Sequence, residues 1–385
     1  MALVSSNGPL LAFGPRSTTY DFGRGHPLTP LRFGPGIDLL DAVGAVPGLA
    51  PDPAPEADLL LCHDPAYVAA VRRLSADPDG TPAAGIGRYG DDPPFEGMHE
   101  AAAAVAGGSM TAMRAILAGD AEHAFHPGGG LHHAMRDHAS GFCIYDDPAL
   151  AIAVARLAGK RVLYIDLDVH HGDGVETLHA ADPDVLTVSF HESGRSLFPG
   201  TGFVGQAPPG SAVGSVVNMP FESFTGAAVW LEAVQAIVPV LAERFKPDIV
   251  VSQHGADSHA WDPLAHLRVT TTAMGAAARL VDEIAHRYAD GRWLATGGGG
   301  YDAFRVVPRM WALVWLAGAH LSVPAATPAV WRARWADAAE AYGMPGMPET
   351  FEDPSSVGAS VDALQRTADD ASRRTLNEVL TLIGA

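Results

Sequence analysis

The sequence predicts an α/β fold: one large domain with a mostly parallel β-sheet covered by helices on both faces. Short apolar segments rich in β-branched residues recur along the middle of the chain, and segments with the apolar spacing of amphipathic helices lie between several of them. Apolar strands that alternate with helices are typical of parallel sheets buried on both faces. With 385 residues, 48% of them apolar, the chain can also bury a large core.

Five strands are predicted from the short apolar segments. In chain order they lie at residues 124–125, 161–165, 185–190, 248–252 and 293–296. The spacing of apolar residues predicts helices at residues 67–74, 149–157, 227–245 and 274–288, and a final helix near residues 373–383. Two stretches rich in Pro, Asp and Gly, residues 47–58 and 76–94, are expected to form surface loops within the domain.

The charge and the cysteine count exclude several classes of protein. The 44 acidic and 25 basic (Lys and Arg) side chains give a net charge of −19, which disfavours binding to nucleic acid. Two cysteines are too few for a disulfide scaffold or a four-cysteine zinc site. The N-terminus lacks a signal-peptide pattern, and no apolar stretch approaches the roughly 18 residues that a membrane span needs. We therefore expect a cytoplasmic protein that binds neither membrane nor nucleic acid.

Polar residues or glycines follow the carboxyl ends of four predicted strands. This placement indicates a functional site, because ligands of open parallel sheets bind outside the carboxyl ends of the strands. The residues concerned are His132 and His133 after the first strand, Asp166, Asp168, His170 and Asp173 after the second, Asp257 after the fourth, and four glycines (297–300) with Tyr301 after the fifth.

Asp168 and His170 are candidates for a metal site. Alternate residues of an extended segment point to the same side, so these two side chains can reach one point. A carboxylate and an imidazole are suitable zinc ligands, and Asp257 can supply the third ligand of a catalytic site. The alternative is that the two side chains only cap the strand and bind water. Four titratable groups within a short segment beside an apolar strand favour the metal site.

The adjacent histidines His132 and His133 are candidates for a general base and an electrostatic stabiliser. Both rings can face one cavity if they lie in a tight turn, and Asp166 and Asp173 are available to fix the ring tautomers. A double histidine is more often a surface pair, but its position after a glycine run at a strand end favours the site.

The glycine run at residues 297–300 lacks the Lys and Ser/Thr of a phosphate-binding loop. Such a run can be a simple tight turn. Alternatively, its backbone approaches a substrate closely and the hydroxyl of Tyr301 donates a hydrogen bond to a developing oxyanion. Residues 85–90 formally match a dinucleotide-binding fingerprint, but no strand precedes them and we reject that assignment.

Six segments of the sequence resemble motifs of the histone deacetylase superfamily, in the same order along the chain. The segments are residues 25–32, 126–143, 164–176, 198–202, 253–257 and 297–301. The length and the His-rich segment 253–267 are similar to those of bacterial acetoin-utilization (AcuC-type) deacetylases. The resemblance implies an arginase/deacetylase-like fold, with a deacetylase catalytic domain at residues 1–325 and a C-terminal helical extension at residues 326–385 packed on the same domain.

The resemblance also implies a zinc-dependent amidohydrolase that holds two cations. One catalytic Zn²⁺ would be bound by Asp168, His170 and Asp257. A structural K⁺ would lie at a site that matches Asp166, Asp168, His170 and the carbonyl groups of Ser189 and Phe190.

Catalytic roles follow from the same resemblance. His133 would act as general base and acid, with Asp173 as its carboxylate partner. His132 would be the electrostatic partner, with Asp166 on its far nitrogen. Tyr301 would polarise the carbonyl of the amide.

Five further positions would bind the substrate or its product. Phe142 and Phe198 would form the walls of a narrow tunnel, with Gly141 beside them. Asp91 would hold the substrate backbone at the rim, and Arg32 would line an inner channel for released acetate.

Leu264 bears on the choice of substrate. Polyamine-deacetylating relatives carry a carboxylate at the matching position, so a leucine favours acyl-lysine over acetylpolyamines. We predict that the protein hydrolyses the amide of Nε-acetyl-lysine in proteins to lysine and acetate, with an acetyl-CoA synthetase-like enzyme as one candidate partner. Deacetylation of a small N-acetyl amine is the alternative. A non-enzymatic, metal-stabilised regulatory protein is disfavoured because every catalytic motif position is occupied. The oligomeric state is left open.

Overall fold

The computed structural model describes residues 8–354, 357 and 361–385. Within these residues, eight parallel strands form one sheet in the order β2-β1-β3-β8-β7-β4-β5-β6. The strands are β1 (Leu10–Ala12), β2 (Pro47–Leu49), β3 (His123–His126), β4 (Val162–Asp166), β5 (Val185–Glu192), β6 (Val216–Phe221), β7 (Ile249–Gln253) and β8 (Trp293–Thr296).

Helices cover both faces of this sheet. They are α1 (Phe33–Ala42), α2 (Glu56–Leu59), α3 (Pro65–Ala76), α4 (Met98–Ala118), α5 (Asp147–Leu157), α6 (Asp173–His179), α7 (Ala227–Phe245), α8 (Thr271–Tyr288), α9 (Val307–Gly318), α10 (Ala329–Ala341) and α11 (Ala363–Ile383). The side chains of alternate residues in β4 point to opposite faces of the sheet. Leu163 and Ile165 belong to one apolar cluster with residues of α7, α8 and α9. Val162 and Tyr164 belong to another with residues of α3, α4 and α5. The predicted fold class is confirmed.

The five predicted strands are all present, within two residues at either end. The expectation of a surface loop at residues 47–58 is wrong in part, because β2 and the start of α2 lie there. Pro47 has no amide N–H to donate to a neighbour, and a proline is tolerated at the start of an edge strand such as β2. The final helix begins at Ala363 instead of near residue 373. Asp362 caps this start, because its side chain accepts a hydrogen bond from the amide of Gln365 at 2.8 Å.

Helix α4 corrects the expectation that no apolar stretch is long enough to cross a membrane. By length and composition it meets that criterion, but 72% of its most apolar window is buried inside the protein. It packs against α5 and β3, and its alanine-rich surface allows close approach of these neighbours. Helix α4 is therefore built into the core of the sheet-and-helix fold.

Both C-terminal helices contact the rest of the chain. The indole N–H of Trp331 in α10 donates to the carbonyl of Pro35 in α1 at 2.8 Å. Helix α11 packs on β6 and α7, where Leu376 and Val379 are buried. The division at residues 325/326 stays a prediction.

The strand order explains why the polar strand ends meet. Strands β3, β8, β7 and β4 are four consecutive neighbours in the middle of the sheet and run in the same direction. Their carboxyl ends therefore lie side by side at one edge. The segments that follow them carry the candidate site.

Candidate active site

Asp168, His170 and Asp257 lie together as a buried cluster beyond the ends of β4 and β7. One potential ligand atom from each side chain lies within 4.8 Å of the other two. Nδ1 of His170 is 3.0 Å from Oδ1 of Asp168 and 3.2 Å from Oδ2 of Asp257. The amide of Val169 donates to Oδ1 of Asp257 at 2.9 Å, which ties the two strand ends together.

Neighbouring groups hold these carboxylates in place. Oδ2 of Asp168 accepts hydrogen bonds from Nε2 of Gln253 at 2.7 Å and from the amide of Gly299 at 2.8 Å. A Cβ atom on Gly299 would lie 1.9 Å from Oδ2 of Asp257, so this position needs glycine for close approach. Gln253 is the first residue of the motif at residues 253–257, but no role was assigned to it from the sequence. The signal that could have found this role is its position at the end of a buried strand, β7.

The electrostatics of the cluster match a cation-binding site. Burial raises the pKa of Asp168, but His132 and His170 outweigh burial and lower it well below its usual range. Burial and the neighbouring charge of Asp168 raise the pKa of Asp257 to about 6. Two buried carboxylates this close repel one another, and one imidazole and two carboxylates form a suitable donor set for Zn²⁺. These three residues therefore fit a metal ion.

Each histidine of the pair at residues 132 and 133 has its own carboxylate partner. Nδ1 of His132 lies 2.7 Å from Oδ2 of Asp166, and Nδ1 of His133 lies 2.6 Å from Oδ1 of Asp173. Spacing along the chain had left this pairing open, and only the resemblance assigned it. In both rings Nδ1 contacts the carboxylate, so Nε2 is the nitrogen left for other contacts. Nε2 of His132 lies 3.8 Å from Oδ1 of Asp168.

The two histidines differ in charge. Burial lowers the pKa of His132, but Asp166 and Asp168 outweigh burial and raise it to about 10. Burial and the adjacent charge of His132 lower the pKa of His133 to about 4. The raised pKa favours the protonated form of His132, and the lowered pKa favours the neutral form of His133, which can accept a proton.

Tyr301 completes the inner part of the site. Its side chain is buried and lines the same cavity as His132, His133, Asp168 and His170. Burial and, to a lesser extent, the charge of Asp257 raise the pKa of its hydroxyl well above the usual value. The hydroxyl therefore keeps its proton.

Asp262 is a positioning residue that sequence reasoning missed. Its Oδ2 accepts from the amide of Tyr301 at 2.8 Å, and its Oδ1 accepts from the amide of Leu264 at 3.0 Å. The carboxylate is buried, so it holds the tyrosine segment and the rim loop from inside the protein.

Asp147 is a second missed residue. It accepts hydrogen bonds from the amides of Gly130 and Leu131 at 2.9 and 2.8 Å, and so shapes the turn before the histidine pair. The Asp-Asp-Pro segment at residues 146–148 marks the N-terminus of α5. It does not indicate that Asp147 also binds the turn at residues 130 and 131.

Phe142 and Phe198 line the outer part of the cavity, together with Gly141, Asp91 and Leu264. The ring of Phe198 meets that of His133 edge to face, with centroids 5.0 Å apart. Gly141 lies between them at φ +54°, and a Cβ atom there would approach Cδ2 of His133 to 2.5 Å. Asp91 is exposed at the mouth and Leu264 is half-buried.

Arg32 contacts the glycine loop at residues 297–300. It is buried, and its Nη1 donates to the carbonyl of Gly298 at 2.7 Å. It lines a second small cavity, and Leu28 and Leu131 line both this cavity and the inner part of the site. A buried guanidinium there provides a positive charge next to the site.

Comparison with known proteins gives the same class. Residues 26–317 match the histone deacetylase domain. The chain therefore belongs to the histone deacetylase family, and it is a deacetylase-type hydrolase. Metal dependence is typical of this family.

Within the family, the chain is similar to the acetoin utilization protein AcuC of Bacillus subtilis (strain 168), with 40% identity over 353 residues that cover 90% of each chain. AcuC of Staphylococcus aureus (strain MSSA476) is 35% identical over 342 residues, 87% of each chain. Among solved structures, a histone deacetylase homologue in complex with SAHA superposes with a TM-score of 0.81 at 25% identity, covering 97% of this chain and 99% of the homologue. A homologue from Aquifex aeolicus superposes with a TM-score of 0.78, also at 25% identity, covering 95% of this chain and 100% of the homologue.

Proposed function

We propose that this protein is a zinc-dependent deacetylase that hydrolyses the amide of Nε-acetyl-lysine in proteins to lysine and acetate. One observation carries the proposal: two adjacent histidines, each on its own carboxylate, lie beside a buried cluster of possible metal ligands at the inner end of an aromatic-walled cavity. A general base, an electrostatic stabiliser and a metal site within one cavity are the components that amide hydrolysis requires.

Asp168, His170 and Asp257 are the proposed zinc ligands. They fit this ion because they supply one nitrogen and two oxygen donors from buried side chains, as in catalytic zinc sites with an open position. When bound, Zn²⁺ supplies a Lewis acid for the amide carbonyl and lowers the pKa of bound water.

Proton transfer is assigned to His133. Its Nδ1 is held by Asp173 at 2.6 Å, so Nε2 accepts the proton of the attacking water. His133 then returns this proton to the departing lysine nitrogen, which cannot leave as an amide anion. His132 stays charged between Asp166 and Asp168 and stabilises the negative charge that develops nearby.

The hydroxyl of Tyr301 is the proposed donor to the oxyanion. It remains protonated at neutral pH because burial raises its pKa, and so it can donate a hydrogen bond where charge develops. Gly141 and the rings of Phe142 and Phe198 exclude water from the apolar stem of the acetyl-lysine side chain.

A protein substrate is supported by the mouth of the cavity. Leu264 provides no charge for the second ammonium of a polyamine, and the nearby carboxylate of Asp262 is buried on two backbone amides. Asp91 is exposed and available to accept hydrogen bonds from a substrate backbone. Arg32, in the inner cavity, is proposed to attract the released acetate.

Several narrower assignments belong to this proposal. An acetyl-CoA synthetase-like enzyme is the candidate partner, and a small N-acetyl amine such as an acetylpolyamine is the alternative substrate. A structural K⁺ is proposed next to Asp166, Asp168 and His170, with the carbonyl groups of Ser189 and Phe190. Cytoplasmic location and the lack of nucleic-acid and membrane partners stay predictions.

The deciding experiment compares kcat/KM for an acetyl-lysine peptide and for acetylputrescine in the same preparation, with Zn²⁺ and Fe²⁺ content measured by elemental analysis. We expect acetate release that is lost on chelation, restored by Zn²⁺, and faster from the peptide. A strong preference for acetylputrescine would replace the protein substrate by the alternative. A metal-loaded protein that is inert on all acylated amines would refute the enzymatic proposal.

A further inference from the structure

A second cluster of metal-ligating side chains lies at the opposite edge of the sheet from the active site. His123 opens β3, whereas the catalytic pair follows the carboxyl end of this strand. Asp282 and His286 lie one turn apart on α8, and His320 follows the C-terminus of α9. The catalytic machinery described above uses none of these four residues.

Their donor atoms converge on one point. Nε2 of His286 lies 3.2 Å from Nε2 of His123 and 3.1 Å from Nε2 of His320. Oδ1 of Asp282 lies 3.4, 3.6 and 3.3 Å from Nε2 of His123, His286 and His320, respectively. The remaining pair, His123 and His320, is within 4.8 Å. Four donors from three separate elements therefore surround a single centre.

These separations are those of a tetrahedral metal site. Zn²⁺ binds imidazole nitrogen and carboxylate oxygen at about 2.0–2.2 Å, and the donors of such a tetrahedron are about 3.3–3.6 Å apart. Five of the six donor separations span 3.1–3.6 Å, and the sixth, between His123 and His320, is at most 4.8 Å. Three neutral imidazoles and one carboxylate also leave a divalent cation with only one excess positive charge, which suits a partly buried site.

Hydrogen bonding alone explains this geometry poorly. An Nε2–H group points in one direction, so three imidazoles can satisfy at most three of the close contacts. Among the described residues, Nδ1 of His123 has no hydrogen-bond partner, so the polar contacts of this buried ring are made by Nε2. A cation at the centre satisfies all four donors together.

The position also gives an ion a route in. His123 and Asp282 are buried at the base, whereas the side chains of His286 and His320 are 40% and 54% exposed and line an open surface cleft. His320 adopts a left-handed backbone conformation (φ +55°), which is uncommon for a residue other than glycine. This conformation ends α9: the amide of His320 donates to the carbonyl of Ala317, and the amide of Leu321 donates to the carbonyl of Leu316, both at 3.0 Å.

We propose that His123, Asp282, His286 and His320 form a second, structural site for a tetrahedral divalent metal ion, with Zn²⁺ as the ion. The ion joins the start of β3 to the ends of α8 and α9. Because all four positions of the tetrahedron are taken by protein donors, the site holds metal without contributing to hydrolysis.

The first test counts zinc by elemental analysis after the purified full-length chain has been equilibrated with Zn²⁺ and desalted. We expect two zinc ions per chain in the unmodified protein and one in the His286→Ala/His320→Ala variant, with kcat/KM retained. The exposed side chains make this variant compatible with folding. His138→Ala, which removes another exposed histidine, is the control and should keep both ions.

The second test uses Co²⁺ in an Asp168→Asn/Asp257→Asn variant, in which the catalytic ligands are removed. Tetrahedral Co²⁺ absorbs strongly in the visible range, unlike the hexa-aqua ion, so we expect a tetrahedral spectrum that disappears when His286→Ala and His320→Ala are added. Equal zinc content in the unmodified protein and in the His286→Ala/His320→Ala variant would overturn the proposal. So would a single zinc that is lost with the catalytic ligands.

Discussion

Replacing Tyr301 by phenylalanine tests the catalytic geometry most directly, because the change removes one oxygen atom. The ring of Tyr301 meets that of Phe142 edge to face, with centroids 6.0 Å apart, and the backbone amide is held by Asp262. Both contacts remain in Tyr301→Phe. The variant should therefore fold normally and lose only the hydroxyl that donates to the oxyanion.

The expected loss follows from the burial of this hydroxyl. Tyr301 is 8% exposed, so water cannot easily take over the lost hydrogen bond. Removing one preorganised donor to an oxyanion typically costs about 2.7–4 kcal/mol of transition-state stabilisation. At about 1.36 kcal/mol per factor of ten, this cost corresponds to a fall in kcat of about 100- to 1000-fold. KM should change little, since the donor acts mainly in the transition state.

Acetate release from an acetyl-lysine peptide measures kcat and KM separately, and a thermal melt checks that the variant is folded. Tyr342→Phe is a matched control: Tyr342 is 56% exposed and packs against Phe304, away from the cavity. It should leave both constants unchanged. Undiminished kcat in a folded, zinc-loaded Tyr301→Phe protein would refute the role of the hydroxyl. A rise in KM alone would instead assign it to substrate binding.

Three further changes test other parts of the site and the fold. Asp173→Asn should lower kcat by about 100-fold, because His133 loses the carboxylate that orients it and supports its protonated form; unchanged kcat with retained zinc would contradict this pairing. Leu264→Glu should raise kcat/KM for acetylputrescine about two- to fivefold relative to the peptide, because the new carboxylate forms an exposed ion pair with the second ammonium. Leu264→Gln, which adds no charge, should not change this ratio. Asp353→Asn should reduce the free energy of unfolding in urea by about 3–5 kcal/mol, because it leaves the buried guanidinium of Arg309 unpaired; a loss below about 1 kcal/mol would contradict it. Burial raises the pKa of Asp353, but His259 and Arg309 outweigh burial and lower it well below its usual value. Since the unfolded value is about 3.9, its stabilisation is present above about pH 4 and is lost as the pH falls towards the folded value, so the difference between the variant and the unmodified protein should shrink in acid.

The regular elements of the middle of the chain were predictable because their signals are local. Helix α7 has the predicted bounds, residues 227–245, and β8 has the predicted bounds, residues 293–296. In contrast, β1, β2 and β6 were not predicted, and two of them, β1 and β2, have only three residues each. Strands this short carry too few residues for an alternating or apolar pattern, and they form because neighbouring strands supply hydrogen-bond partners.

The composition of the candidate site was also visible in the sequence. Carboxylates, imidazoles and glycines follow buried strands, and parallel strands bring their ends together whatever the distance along the chain. The partner of each histidine was not visible, because Asp166 and Asp173 are both close in sequence to the same strand end. Only the positions of the side chains in the folded protein assign Asp166 to His132 and Asp173 to His133.

The sequence by itself thus determined the fold class, the family and the residue types of the active site, because these depend on local periodicity and on short motifs. The tertiary structure decided what depends on contacts between distant segments: the strand order, the support of Tyr301 by Asp262, and the second cluster of metal-ligating side chains. In that cluster only Asp282 and His286 share a sequence signal, their spacing of four on one helix. His123 and His320 join them because the sheet and the packing of α8 and α9 bring the three elements to one point, and no local pattern encodes that meeting.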